Sequence, residues 1–207
     1  MTSISPLNSV HLVGDHGNFK NKNSDEIINI KELKNFKIFQ IVKFKKNKKN
    51  IKDYKLSGLD FPDKLKVSEN NDVRILWIGP NNWLALSATV SLFEEIAKSL
   101  SNDEFAITDL SHSKAIIELS GKNVKEVLKK GCPINFNDIN KNEVVNSIFN
   151  GIAITLDFIN DQPDKIRVMC LRSFGESLYH SVTDASLEFG YKAVSYTHLR
   201  AHETTDN

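Results

Sequence analysis

The sequence predicts an α+β fold: repeated strand-strand-helix units, a mainly antiparallel sheet, and helices packed on one face of it. Three observations carry this. Short apolar runs come in pairs around turn residues, as in Arg74-Ile75-Leu76-Trp77-Ile78 and Trp83-Leu84-Ala85-Leu86 around Gly79-Pro80-Asn81-Asn82. Segments with apolar residues at helical spacing follow such pairs. No βαβ alternation suggests a parallel, doubly wound sheet.

Taken in order, residues 1–35 are rich in Asn, Ser, Lys and Gly with weak periodicity and read as an irregular N-terminal arm. The main domain is expected over 36–193. Its first strand is Phe36 to Phe44, and Ser57-Gly58 and Pro62 mark turns before the 74–86 hairpin. Ser91 and Glu94 have capping-box spacing, and Phe93, Ile96, Ala97 and Leu100 predict the buried stripe of a helix. The unit then repeats: strands over Glu104 to Leu110 and Lys114 to Leu119 precede a helix with Val124, Val127 and Leu128 inward, ended by Gly131 and Pro133.

A last strand pair, Ile148 to Ile159 (broken by Asn150-Gly151) and Lys165 to Leu171, flanks Asp161-Gln162-Pro163-Asp164. Ser173 and Glu176 form a second capping-box pattern, opening a helix with Phe174, Leu178, Val182, Ala185 and Phe189 on one face and Gly190 at its end. The segment 194–207 resembles adapter read-through found on unrelated translated environmental sequences. It is read as a non-native tail, so His198, His202 and Glu203 carry no metal assignment.

With 207 residues, 40% hydrophobic and 26% charged, the chain is long enough for a real core. No apolar run approaches the roughly 20 residues of a membrane span, and Met1 to Leu7 lacks the basic and apolar regions of a secretory signal. A cytoplasmic location is the expectation. The net charge of +1 argues against nucleic-acid binding by bulk charge. That charge is unevenly placed, since residues 1–56 hold 12 Lys against 5 acidic residues and the remainder holds 15 basic against 21 acidic. The extreme, Lys43 to Lys52, reads as a nucleic-acid or anionic-surface patch, a dock for an acidic partner, or a solvated hairpin tip. Scarce Arg and the lack of paired aromatics favour the last.

Several residues carry candidate chemistry. Asp109 and His112 have the spacing of an acid/base pair, although Asp109-x-Ser111 equally makes a structural turn by bonding nearby N–H groups. Trp77 and Trp83 flank a turn where they stack a flat ring, fill a core or enter an interface. Arg172 clamps a partner's carboxylate or makes a local ion pair. His180 reads as a side chain at the sheet–helix seam. Cys132 and Cys170 have no metal spacing and read as buried thiols. No glycine fingerprint follows a strand, so no flavin, nicotinamide or phosphate-loop site is predicted, and no Cys/His set has zinc spacing.

The stretch Thr108-Asp109-Leu110-Ser111-His112-Ser113-Lys114, running through Gly121 into Val124-Lys125-Glu126-Val127-Leu128, resembles the N-terminal folate-binding domain of the aminomethyltransferase superfamily. Within it, Trp77 to Leu84, Gly131-Cys132-Pro133-Ile134-Asn135 and Leu171-Arg172-Ser173-Phe174 resemble the gamma subunit family of heterotetrameric sarcosine oxidase, in that family's order from about Ile75 to Gly190. The resemblance implies a non-catalytic subunit supporting oxidative demethylation of sarcosine to glycine, with hydrogen peroxide formed and the one-carbon unit passed to tetrahydrofolate. It implies alpha, beta and delta partner subunits that carry FAD, FMN, NAD, tetrahydrofolate and zinc, with no cofactor on this chain. A free-standing folate-binding protein or one-carbon transferase is the alternative, with Trp77 or Trp83 against the pterin.

Overall fold

A computed structural model describes residues 5–20, 22–23, 26–88 and 92–195. In chain order its strands and helices are β1 (Gly14–His16), β2 (Ile28–Glu32), β3 (Lys37–Lys43), β4 (Lys55–Leu56), β5 (Leu59–Asp60), β6 (Val67–Glu69), β7 (Arg74–Gly79), β8 (Asn82–Ser87), α1 (Leu92–Ser99), β9 (Phe105–Asp109), β10 (Lys114–Ser120), α2 (Val124–Lys129), β11 (Val144–Phe149), β12 (Ile152–Asp161), β13 (Asp164–Leu171), α3 (Gly175–Ser186) and β14 (Tyr191–Val194). Among the described residues no helix is long and apolar enough to cross a membrane.

The α+β class holds, but there are two main sheets rather than one. A seven-stranded sheet runs β1-β14-β2-β10-β13-β12-β11 and a five-stranded sheet runs β6-β7-β8-β3-β9; every pairing is antiparallel except β14 with β2. The sheets meet face to face through Ile38, Leu76, Leu84 and Leu86 on one side and Ile116, Val144 and Met169 on the other. The outer face of the larger sheet packs on α2 and α3 through Ala115, Ile117, Leu156, Val168, Val127, Leu178 and Val182. The outer face of the smaller one packs on α1 and Tyr54 to Phe61 through Ile41, Ile75, Trp83, Leu92 and Ile96. Helices therefore lie on the two outer faces of a double sheet.

This layering explains the uninterrupted apolar runs. In β8, Trp83 and Ala85 face outward to α1 while Leu84 and Leu86 face the other sheet, so both phases of the period-two pattern are apolar. A strand covered on both sides has no solvated phase to fill with polar residues.

The expected pairing of the strands at 104–110 and 114–119 is not observed. β9 joins β3 in the small sheet and β10 joins β2 and β13 in the large one, so Leu110 to Ser113 carries the chain from sheet to sheet. Nor is the stretch to residue 35 an irregular arm. β2 lies inside the large sheet, with Ile28, Ile30 and Glu32 buried, and β1 forms its edge against β14. Two apolar residues in a five-residue strand made too weak a periodic signal against the surrounding Asn and Lys. The predicted tail boundary also moves: Val194 belongs to β14, pairs with Lys31, and accepts a 2.9 Å hydrogen bond from His11 Nε2. The rest of the predicted tail, from residue 196, lies outside the described residues, as does Ser91.

Two helix readings change in phase. In α1 the buried side chains are Leu92 and Ile96, continued by Leu100, while Phe93 is 61% exposed and rests against Phe39 with ring centroids 6.0 Å apart. At α3, Ser173 lies in a 3-10 turn (Arg172–Phe174) and the N-cap is Phe174, without a side-chain cap. Glu176 instead accepts from Ser9 Oγ. Phe174 and His180 are exposed, whereas Leu178, Val182 and Ala185 face the core as expected. Gly190 has φ +71°, and a Cβ there would stand 2.6 Å from Asn18 O, so the left-handed turn into β14 requires glycine.

Candidate functional site

The crossing from β9 to β10 builds the site. Asp109 Oδ1 accepts hydrogen bonds from Ser111 N at 2.8 Å and Ser111 Oγ at 2.5 Å, and Ser111 Oγ accepts from Ile38 N at 3.1 Å. Asp109 and Ser111 thereby close the turn and tie it to β3, which is the structural reading of the Asp-x-Ser pattern. The Ser111 hydrogen bonds hold the Asp109 carboxyl below its usual range. His112 follows on the exposed side.

Beside this turn, at the seam of the two sheets, is a cavity of about 340 Å³. Three residues singled out in the sequence, Ser111, His112 and Arg172, line it together; Arg172 arrives from the end of β13, its backbone N–H donating to Ser113 O at 2.9 Å. Glu32, Lys34, Lys37 and Lys114 join them, and for the three lysines the sequence offered no hint. A trace was available for Glu32, since Ile28-x-Ile30-x-Glu32 puts a carboxylate in the inward phase of a strand.

Glu32 is 2% exposed. Its Oε1 accepts from Ser5 Oγ and from Leu7 N at 3.3 Å; Oε2 accepts no hydrogen bond among the described residues, although Lys34 Nζ stands 3.3 Å away. Lys114 is half-buried, and burial lowers the pKa of its ammonium. The cavity is cationic, with one buried carboxylate in its wall.

The tryptophans are elsewhere. Trp83 is 3% exposed in the outer core of the small sheet, its indole donating to Pro62 O at 3.0 Å and its ring meeting Phe61 edge-on at 5.1 Å. It cannot stack a ligand without unpacking that core. Trp77, its cross-strand partner, is half-buried where inner and outer cores adjoin.

Lys43 ends β3, and the rest of the run to Lys52 forms a loop leading into a 3-10 turn (Ile51–Asp53) rather than a hairpin tip, with partners of its own. Lys43 donates to Asn47 O at 2.8 Å, Lys49 pairs with Glu104 at 2.8 Å, and Asn47 donates to Tyr54 Oη at 2.9 Å. Lys45, Lys46 and Lys48 remain exposed.

Sequence reasoning also missed a polar bolt between the sheets. Arg74 of β7 grips Asp157 of β12 through Nε, at 3.0 and 2.9 Å to the two carboxylate oxygens, and through Nη2 at 2.7 Å. Nη2 also reaches Phe158 O at 3.2 Å, and Nη1 reaches Asn142 Oδ1 at 3.1 Å and Glu69. Burial pushes the Asp157 carboxyl upward while Arg74 pulls it back. Among the described residues no group of three or more His, Cys, Asp or Glu is arranged to hold a metal ion.

The comparisons with known proteins meet this architecture directly. The family model of the sarcosine oxidase gamma subunit matches residues 51–188, two thirds of the chain. The chain belongs to the sarcosine oxidase gamma subunit family. A relative, sarcosine oxidase subunit gamma of Corynebacterium sp. (strain P-1), is 27% identical over 124 residues, covering 58% of this chain and 60% of the relative's length. Heterotetrameric sarcosine oxidase from Corynebacterium sp. U-96 contains a chain of the same fold, with TM-score 0.75 and 18% identity over 91% of this chain and 97% of that one. Aminomethyltransferase T of the Bartonella henselae glycine cleavage system shares the fold more loosely, with TM-score 0.56 and 10% identity over 75% of this chain and 45% of that one. For a gamma-family chain, the β9–β10 crossing and the Arg172 turn thus serve the two-sheet fold and place Ser111, His112 and Arg172 in one cavity wall.

Proposed function

We propose that this chain is the non-catalytic gamma subunit of a heterotetrameric sarcosine oxidase. In that role it supports oxidative demethylation of sarcosine to glycine, with hydrogen peroxide formed and the one-carbon unit transferred to tetrahydrofolate. FAD, FMN, NAD, tetrahydrofolate and zinc then belong to the alpha, beta and delta partners. The single observation that carries this reading is the gamma-family match over residues 51–188. The geometry of the singled-out residues is consistent with it: the Asp109 carboxylate is engaged by Ser111, and Trp83 is packed in a core.

The test is affinity purification of the chain, ended after Ser195 and co-expressed with its chromosomal neighbours, recording subunit composition and visible spectrum together. A yellow complex with larger subunits that oxidises sarcosine is the expected result. A colourless chain eluting alone refutes the assembly, and tetrahydrofolate quenching of Trp77 fluorescence in that chain would favour a free-standing folate binder.

A further inference from the structure

The cavity at the seam of the sheets is lined by four cationic side chains, Lys34, Lys37, Lys114 and Arg172, and one carboxylate, Glu32. Of its lining residues, Lys34 lies against Glu32, and Lys37 lies near enough to Asp109 to help lower that carboxyl's pKa. Lys114 differs. It opens β10 facing the cavity, is half-buried, and has no carboxylate or other acceptor in hydrogen-bonding or ion-pair reach among the described residues. An ammonium taken part-way out of water without an acceptor is costly unless something else neutralises it. His112 and Arg172 line the same space, whereas the Ser111 O–H is already given to Asp109. Glu32 keeps its negative charge in this wall, its Oε1 held by Ser5 and the Leu7 N–H and its Oε2 3.3 Å from Lys34 Nζ, so it offsets Lys34 and not Lys114.

A volume of about 340 Å³ is in the range of small-molecule sites. We propose that this cavity is a binding site for a small free oxyanion, a carboxylate or phosphate group, with Lys114 as its principal counter-charge. Every residue that lines the cavity belongs to this chain, so the inference is tested on the chain itself and its failure is distinct from failure of the assembly.

The test is calorimetric titration of the full chain with acetate, citrate and inorganic phosphate, at ionic strength held constant with chloride. Saturable binding of at least one of the three is expected, with Lys114→Met weakening it at least tenfold and Lys114→Arg retaining most of it. The control Lys52→Met, on the remote loop after β3, leaves it unchanged. Absence of saturable binding by all three probes overturns the proposal. So does binding that survives Lys114→Met, or an equal loss in Lys52→Met, which would mean bulk charge rather than a site.

Discussion

Removing one partner of the Arg74–Asp157 pair exposes the cost of an unpaired buried charge. Asp157 is fully buried on the inner face of β12 and takes all its guanidinium contacts from Arg74, whose own side chain is 7% exposed. Its cross-strand neighbour Arg167 is bonded to Glu118 at 3.1 Å and acts on Asp157 through its field. Arg74→Met therefore strands a carboxylate between two sheets, and the expected loss is about 3–5 kcal/mol. Asp157→Asn is milder, about 1.5–3 kcal/mol, because Arg74 keeps Glu69, Asn142 and the Phe158 carbonyl. The double variant Arg74→Met/Asp157→Leu, which removes both charges, is expected to be more stable than Arg74→Met alone. Urea unfolding followed by circular dichroism and tryptophan fluorescence measures all three. A loss under about 1 kcal/mol for Arg74→Met, or a double variant as costly as the sum of separate losses, would refute the bolt.

Four further outcomes follow from the packing. In α1, Ile96→Ala should cost about 2–5 kcal/mol and Phe93→Ala less than about 1, by the same urea assay; the reverse order would restore the helical phase expected from sequence. Ser111→Ala removes the acceptor of the Ile38 N–H and should cost about 1–3 kcal/mol, against under about 0.5 for exposed His112→Ala. Burial pushes the thiols up to about 12 at Cys132 and about 11 at Cys170, so neither should react with Ellman's reagent at pH 8 until urea unfolds the chain. The sign of the linked stability is set by those raised values: it is full below the ordinary thiol pKa of about 8.5 and is lost as pH climbs toward the folded ones. Ending the chain after Ser195 should leave the unfolding midpoint unchanged, whereas ending it after Gly190 removes Tyr191 and Ala193 from the core and should cost at least about 3 kcal/mol.

What was legible in the sequence was local. The hairpin of β7 and β8, the α2 stripe of Val124, Val127 and Leu128, and the strands β3, β12 and β13 follow from period and turn chemistry that neighbouring residues carry among themselves. The family, too, was written in ordered short motifs. The tertiary structure decided what depends on long-range pairing. It split β9 from β10 between two sheets, and it drew β2 and β14 from opposite ends of the chain into one parallel ladder. It also placed Arg74 against Asp157, and gathered Glu32, Lys114 and Arg172 around one cavity. Charges so far apart in sequence leave no periodic trace. Only the packing of one sheet on the other removes the water that would otherwise screen them, and with it their indifference to one another.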